Sequence, residues 1–440
     1  MKEGGGNAHV IMFFKNKRMN TRSSSLPPLF NSYGEVDGES VTVGGQGLYG
    51  YSLTLGLTGC ISTRTETVSG TPVNYSYTYD PIGRLRTVTR DGSLVEEYRY
   101  DGNGRRNYEM DTLRGIAGTT LSYDDEDHLV SVGSATYQYN VDGFLTIRTE
   151  GAEVTSYNYS SRGELLSVSL PDGRLIEYVH DPLGRRIAKK VNGAIVEKYL
   201  WQGLTRLLAV YDGNNNLLMR FQYADGRMPV DMTKGGTTYY LGYDQVGSLR
   251  MVTDASGNIV KRIDYDSFGS IIVDSAPAFS VPFGFAGGLH DRDTNLVRYG
   301  FRDYDPAVGR WTAKDPIGFE GEDTDLYGYS VNNPVNFIDP NGLRDTTILD
   351  WPDLIATPFS WHWFHNEMRR MLNNKLNSDF KSCLSACADS SDINNCLNDK
   401  NFDEWLNLLK NYDLWKAIKD SYRFDPREAI DHCRKEIDGR

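Results

Sequence analysis

Tyr77-Thr78-Tyr79-Asp80-Pro81-Ile82-Gly83-Arg84-Leu85 is a pattern that recurs along the chain, and a recurring pattern this short leaves few folds open. It returns as Tyr98-Arg99-Tyr100-Asp101-Gly102-Asn103-Gly104-Arg105-Arg106. Shorter versions stand at Tyr123-Asp124, at Tyr137-Gln138-Tyr139-Asn140 with Gly143, and at Tyr157-Asn158-Tyr159 with Gly163. Others are His180-Asp181 with Gly184-Arg185, and Tyr265-Asp266 with Gly269. In one copy, Tyr-x-Tyr with alternating neighbours is a strand carrying both rings on one face, and Asp followed three residues later by Gly is a turn. The Asp side chain accepts from the turn's own amides, and Gly takes the positive φ of a hairpin bulge. Segments such as Leu85 to Thr89 and Ile187 to Val191 alternate in the same way and are the expected return strands. Each hairpin is too small to bury its own face, so the array is expected to stack into one continuous β-sheet. The tyrosine ladders are read first as cross-strand packing, with a sugar-binding surface as the alternative.

The array does not run to the end. After Leu343 the only Gly is Gly439 and the only Tyr are Tyr412 and Tyr422, while Cys383, Cys387, Cys396 and Cys433 lie beyond it with only Cys60 before it. Five tryptophans, Trp351, Trp361, Trp363, Trp405 and Trp415, also fall there. A domain boundary is therefore placed at Leu343. The whole chain carries a net charge of −12 with 39% hydrophobic residues, which excludes a disordered chain and a general nucleic-acid binder. No stretch approaches the roughly 20 apolar residues of a membrane-spanning helix. Lys15, Lys17 and Arg18 follow the apolar patch Val10 to Phe14, the reverse of a secretory signal. Residues 1–50, with Gly4-Gly5-Gly6 and Ser23-Ser24-Ser25, fit no repeat and are read as a flexible lead.

The later residues carry a resemblance. Tyr240-Leu241-Gly242-Tyr243-Asp244-Gln245-Val246-Gly247-Ser248-Leu249-Arg250 and Pro282-Phe283-Gly284-Phe285-Ala286-Gly287-Gly288 lead into Arg302-Asp303-Tyr304-Asp305-Pro306-Ala307-Val308-Gly309-Arg310-Trp311. Then come Asp315-Pro316-Ile317-Gly318-Phe319, Leu326-Tyr327-Gly328-Tyr329, Asn332-Asn333-Pro334-Val335 and Ile338-Asp339-Pro340-Asn341-Gly342-Leu343. This order of motifs resembles the YD-repeat proteins, called Rhs in bacteria, which include the toxin-complex C components and, more distantly, the teneurins. The resemblance covers about Tyr75 to Leu343, is faint in Tyr51 to Val68, and does not reach the tail. It implies a spiralling sheet that forms a hollow shell around a variable C-terminal toxin. Members with a closed shell are much longer, so the sequence is expected to be the end of a larger protein or an orphan copy starting partway through the shell. The expected organisation is a lead (1–50), a YD-repeat sheet (51–270), an Rhs-associated core (271–343) and a variable helical C-terminal domain (344–440): mainly β, a partial shell followed by a small α-helical unit.

Asp315 and Asp339 each open an Asp-Pro turn closed by Gly three residues on, and turn formation alone accounts for both. The resemblance adds an aspartyl autoprotease at matching positions, cutting after the Asp-Pro-x-Gly-Leu motif. Carried over by position, Asp315 and Asp339 are the catalytic pair, Arg302 is the supporting arginine, and the cut falls between Leu343 and Arg344. Such chemistry uses two carboxylates that share one proton, the ionised one activating water and the protonated one stabilising the oxyanion, with a nearby positive charge keeping one ionised. The chain departs from the family in Gly321-Glu322-Asp323-Thr324-Asp325, a loop one residue longer and more acidic than the usual Gly-Gly-x-Asn.

In the tail, Phe364, Met368, Met371, Leu372 and Leu376 recur at helical spacing, as do Trp405, Leu408, Leu409, Tyr412 and Ile418, and Asp425-Pro426-Arg427-Glu428 reads as a helix start. Cys383, Cys387, Cys396 and Cys433 form an even set, read as two disulfides or buried thiols. His362 and His365 with those cysteines are a weaker zinc candidate, because Cys-x-x-x-Cys is not a tight knuckle. No metal or other cofactor is assigned. His362, His365, Glu367 and Arg369 are a nuclease-type acid/base candidate, but the tail holds 14 Lys/Arg against 17 Asp/Glu, which argues against phosphate contacts.

The reading that results is a fragment or orphan of a polymorphic Rhs toxin, whose β-shell packages and autoproteolytically releases a C-terminal effector in bacterial competition. The alternative is a cell-surface β-solenoid that binds carbohydrate or protein partners and has no toxin activity. The resemblance implies a cognate immunity protein for the tail, a missing N-terminal shell or an export-apparatus protein as further partners, and secretion or surface display of the full-length protein. No signal peptide is read in this chain.

Overall fold

The computed structural model describes residues 10–11, 29–30, 36–43, 46–224, 226–321 and 323–347. These are almost wholly β: one antiparallel sheet of 25 strands, a four-stranded sheet, a two-stranded pair, and three single-turn 3-10 helices. No helix among the described residues is long and apolar enough to cross a membrane. The large sheet is a meander in which successive strands from Val36–Val43 to Ile271–Asp274 pair antiparallel, as in Thr71–Tyr79 with Leu85–Arg90 and Leu175–His180 with Arg186–Val191. The expected return strands are thus present. The sheet already begins inside the segment read as a lead: Val36–Val43 pairs with Gln46–Leu55, and Val10–Ile11 and Leu29–Phe30 line the outer edge of Val36–Val43. Val41, Leu48 and Tyr49 are buried there without any Tyr-Asp turn signature, which is why the pattern did not reveal them.

Each turn has the geometry its residues dictate. Asp80 Oδ1 accepts from the amides of Ile82 (3.1 Å) and Arg84 (3.0 Å), Asp80 Oδ2 accepts from Arg84 Nε (2.6 Å), and Gly83 sits at φ +94°. Asp101 with Arg105, and Asp181 with Arg185, repeat the same set of contacts. The ladder slips just before each turn, at Thr78/Tyr79, Arg99/Tyr100, Gln138/Tyr139 and Val179/His180, so the bulge is part of the repeat. The slip turns the last tyrosine toward the preceding hairpin. Tyr79, Tyr100, Tyr123 and Tyr223 donate to the carbonyls of Ile61 (2.7 Å), Leu85 (2.6 Å), Arg106 (2.6 Å) and Leu207 (2.8 Å), and Trp201 Nε1 does the same to Arg186 (2.7 Å). These aromatic groups therefore tie neighbouring hairpins together.

The two ends of the meander meet. Arg250 donates to both oxygens of Glu66 (2.9 Å each), Tyr49 donates to Glu66 (2.9 Å), and Arg64 donates to Gln245 (3.0 Å). One apolar core accordingly holds Tyr49, Ile61, Leu85 and Tyr98 together with Met251 and Phe268. Residues 282–343 pack on this sheet through the largest buried side chains, Trp311, Tyr299, Tyr304, Tyr327 and Tyr329, with Tyr304 and Tyr329 rings 4.5 Å apart. Their polar groups meet the row of repeat turns one after another. Asn333 donates to the Gly83 carbonyl (2.8 Å), Asn332 to Gly104 (3.0 Å), Arg310 to Asp127 (3.0 Å), Tyr327 to Gly143 (2.8 Å) and Arg298 to Gly184 (3.3 Å).

Past Leu343, Thr346–Thr347 pairs with Phe337–Ile338, so the β pairing continues across the Leu343–Arg344 bond. The helices expected in 344–440, the cysteines Cys383, Cys387, Cys396 and Cys433, and the His362/His365 cluster lie outside the described residues. Cys60 is a free thiol.

Candidate active site

Arg302 opens the strand Arg302–Asp305, Asp315 follows the strand Arg310–Trp311, and Asp339 follows Phe337–Ile338. All three are buried. Both aspartates are turn starters, as their Asp-Pro-x-Gly motifs predict. Asp315 Oδ1 accepts from Ile317 N (2.9 Å) and its carbonyl from Gly318 N (3.0 Å). Asp339 Oδ1 accepts from the amides of Leu343 (3.0 Å) and Arg344 (3.1 Å).

The turns leave one oxygen of each carboxylate free to meet a common partner. Arg302 Nη2 lies 2.8 Å from Asp315 Oδ2 and 3.1 Å from Asp339 Oδ2. Its Nε donates to the Gly342 carbonyl (2.7 Å), and its guanidinium stacks on Trp311 at 4.2 Å. The two carboxylates thus share one guanidinium nitrogen. The arrangement also pins the Gly342–Leu343–Arg344 segment directly against the pair. Burial pushes the Asp315 carboxyl above its ordinary range, Arg302 opposes that, and Asp339 adds to it. The Asp339 oxygens accept from Arg302 and from the amides of Leu343 and Arg344.

Beside these groups lies a cavity of about 10 Å³, room for roughly one water, lined among others by Arg302, Asp315, Gly321, Asp339, Leu343 and Asp345. Gly321 separates its two sides: a methyl group there would stand 3.0 Å from Asp315 Oδ2 and 3.0 Å from the Leu343 carbonyl oxygen. Three further acids come with the site, none of them assigned a role from sequence. Asp325 pairs with Arg310 (2.6 and 2.8 Å). Asp323 is pushed up to about 6 by burial, and Asp345 is pushed well up by burial and then by Asp339 and Asp323. The longer, acidic loop 321–325 was the visible signal for two of them.

A tyrosine–aspartate hairpin sheet bound along its turns to a following core is the build of a YD-repeat, or Rhs-family, protein. The chain matches the teneurin YD-shell family over residues 11–335 and belongs to it. Teneurin-3 of Danio rerio is 33% identical over 274 residues, 60% of this chain and 10% of that protein. Teneurin-1 of Homo sapiens is 31% identical over 292 residues, 64% of this chain and 10% of that one. The tRNA3(Ser)-specific nuclease WapA of Bacillus spizizenii is 27% identical over 272 residues, 60% of this chain and 12% of the nuclease. The chain thus spans about a tenth of the length of these relatives. Among solved structures, a TcdB2–TccC3–TEV crystal structure is similar at 18% identity with a TM-score of 0.35, covering 70% of this chain and 21% of that one.

Proposed function

We propose that this chain is part of an Rhs-type polymorphic toxin: its YD-repeat sheet and core package the C-terminal segment, and the core cuts itself between Leu343 and Arg344 to free that segment as an effector in bacterial competition. The observation that carries the reading is the seat of the Leu343–Arg344 peptide, whose two amides both donate to Asp339 while Arg302 ties Asp339 to Asp315. In this reading Asp339 takes a proton from a water as its oxygen attacks the Leu343 carbonyl carbon. Asp315, which burial biases toward its protonated form, stabilises the oxyanion. Breakdown of the intermediate needs a proton at Arg344 N, and Asp339 Oδ1, 3.1 Å from that nitrogen, returns the one it took. The C–N bond breaks, leaving the Leu343 carboxylate and the Arg344 amine. Arg302 is the positioning residue that keeps both carboxylates on the peptide.

The nuclease similarity fits an effector-bearing relative, and the teneurin similarities favour a second reading, a cell-surface module in which Asp315 and Asp339 hold turns only. Intact mass of the purified wild type beside Asp315→Asn and Asp339→Asn separates the two. A wild type split after Leu343, with both variants whole, is expected. A folded wild type that stays uncut sinks the autoprotease.

A further inference from the structure

Beyond the proposed cut, Thr346–Thr347 runs back along Phe337–Ile338, with Ile338 opposite Thr346 and Phe337 opposite Thr347. In that register the next residues to face each other are Asp339 and Asp345, one acid on each side of the Leu343–Arg344 bond. Directly opposed side chains of an antiparallel pair stand about 5 Å apart at Cβ, where like charges repel. Asp345 also lines the cavity beside the dyad, with Asp315, Asp323 and Asp339. No step of the proposed cleavage uses it.

Charged groups bear on Asp345 from each element around it. Burial pushes its carboxyl well up, Asp339 and then Asp323 add to that, and Arg302 opposes them. Nη2 of Arg302 is already divided between Asp315 and Asp339. Arg344, its neighbour in the chain, donates to the Glu320 carbonyl (2.7 Å), and Asp325 is paired with Arg310. The Tyr329 hydroxyl, held up by burial first, feels both Asp339 and Asp345. An ionised Asp345 therefore meets Asp339 and Asp323 at close quarters, whereas a neutral one meets no such opposition.

We infer that Asp345 is a proton-operated latch on the segment after the cut: neutral, it lets Thr346–Thr347 lie against Phe337–Ile338, and ionised, it repels Asp339 and opens that pair. The sign follows from the raised carboxyl: the latch is tight in acid and loosens as pH rises above the ordinary carboxylate range, until Asp345 has lost its proton. Release of the segment rests on the proposed cut, whereas the latch is a property of the uncut chain. Once the bond is cut, the segment is held in acid and let go as the pH rises.

The test is amide hydrogen exchange of the full chain carrying Asp315→Asn, which stays whole under the autoprotease reading. Exchange is followed from pH 5 to pH 8 at the Leu343 and Arg344 amides, which donate to Asp339, and at residues 346–347, each corrected for the intrinsic rate of the unfolded peptide. Opening that releases one proton lowers protection by up to roughly tenfold per pH unit, so a falling profile is expected. Asp345→Asn, whose amide keeps the shape of the neutral acid, is expected to hold its protection level. Asp339→Asn removes the opposing charge and is expected to make the slope shallower; it decides the matter where Asp345→Asn does not fold. A flat profile in the parent would overturn the latch, as would a slope that survives unchanged in either variant. Intact mass of the wild type is read separately. An uncut wild type sinks the autoprotease while the exchange slope still decides the latch, and a cut wild type with a flat profile sinks the latch alone.

Discussion

Glu66→Gln tests whether the joint between the two ends of the meander holds the sheet together. Burial pushes the Glu66 carboxyl up, but Arg250, then Arg64 and the Tyr49 hydroxyl, pull it further the other way, from 4.5 down to about 2. A carboxyl displaced that far contributes about 3 kcal/mol to stability at neutral pH. Removing one partner of a buried pair costs about 3–5 kcal/mol by an independent route, because it strands the other charge. Arg250 retains Asp264 at 2.9 Å, which favours the lower end, so about 3 kcal/mol is expected at pH 7. The sign of the pH dependence follows from the lowered value: the Glu66 contribution is complete above 4.5 and is lost as pH falls toward 2. Between pH 7 and pH 4 the gap between wild type and Glu66→Gln should therefore narrow, by about 0.8 kcal/mol. Urea unfolding followed by tryptophan fluorescence at both pH values measures it, and every other titrating group is common to the two proteins. A gap below 1 kcal/mol at pH 7, or one that widens toward pH 4, would refute the claim that this pair locks the sheet.

Two smaller perturbations address the other joints. Gly321→Ala pushes a methyl group against Asp315 Oδ2 and the Leu343 carbonyl, each 3.0 Å away; it is expected to slow self-cleavage at least tenfold while leaving the melting temperature within a few degrees, and timed intact mass showing wild-type cleavage would count against the proposed geometry. Tyr123→Phe removes the donor to the Arg106 carbonyl and should cost about 1 kcal/mol in urea unfolding, whereas a neutral result would mean the repeat tyrosines act through their rings alone.

The hairpin array was legible because its information is local. Asp80, Asp101 and Asp181 each bond the two amides that lie two and four residues on, and Gly83, Gly104 and Gly184 take the positive φ beside them, all within one turn of chain. Nothing local announces the joint between Glu66 and Arg250, 184 residues apart. The dyad stands between these cases. Its two aspartates were visible as turn starters, and the resemblance paired them, but neither revealed that one nitrogen of Arg302 holds both, or that Asp345 lines the same cavity from beyond the proposed cut. The strands before Tyr51 were missed for a plainer reason: they enter the sheet on alternating apolar residues without the turn that marks every later copy.

The way the core meets the sheet explains why the site can be buried at all. A carbonyl one residue inside a tight turn points out of the hairpin and has no partner in its own ladder. Across the repeats the carbonyls of Gly83, Gly104, Gly143 and Gly184 form a row of such acceptors. Residues 282–343 supply the donors in an order that runs largely against the chain, Arg298 at Gly184, Tyr327 at Gly143, Asn332 at Gly104 and Asn333 at Gly83, with Arg310 at Asp127 the one contact out of order in this row. Asn336 continues the series with its side-chain oxygen, which accepts from the Ile61 amide (2.8 Å). Arg302, Asp315 and Asp339 all lie on stretches of chain between these anchor points or just past the last of them. The segments that carry them are thus anchored on the repeat turns at several points, and within that frame one nitrogen of Arg302 brings the two carboxylates together.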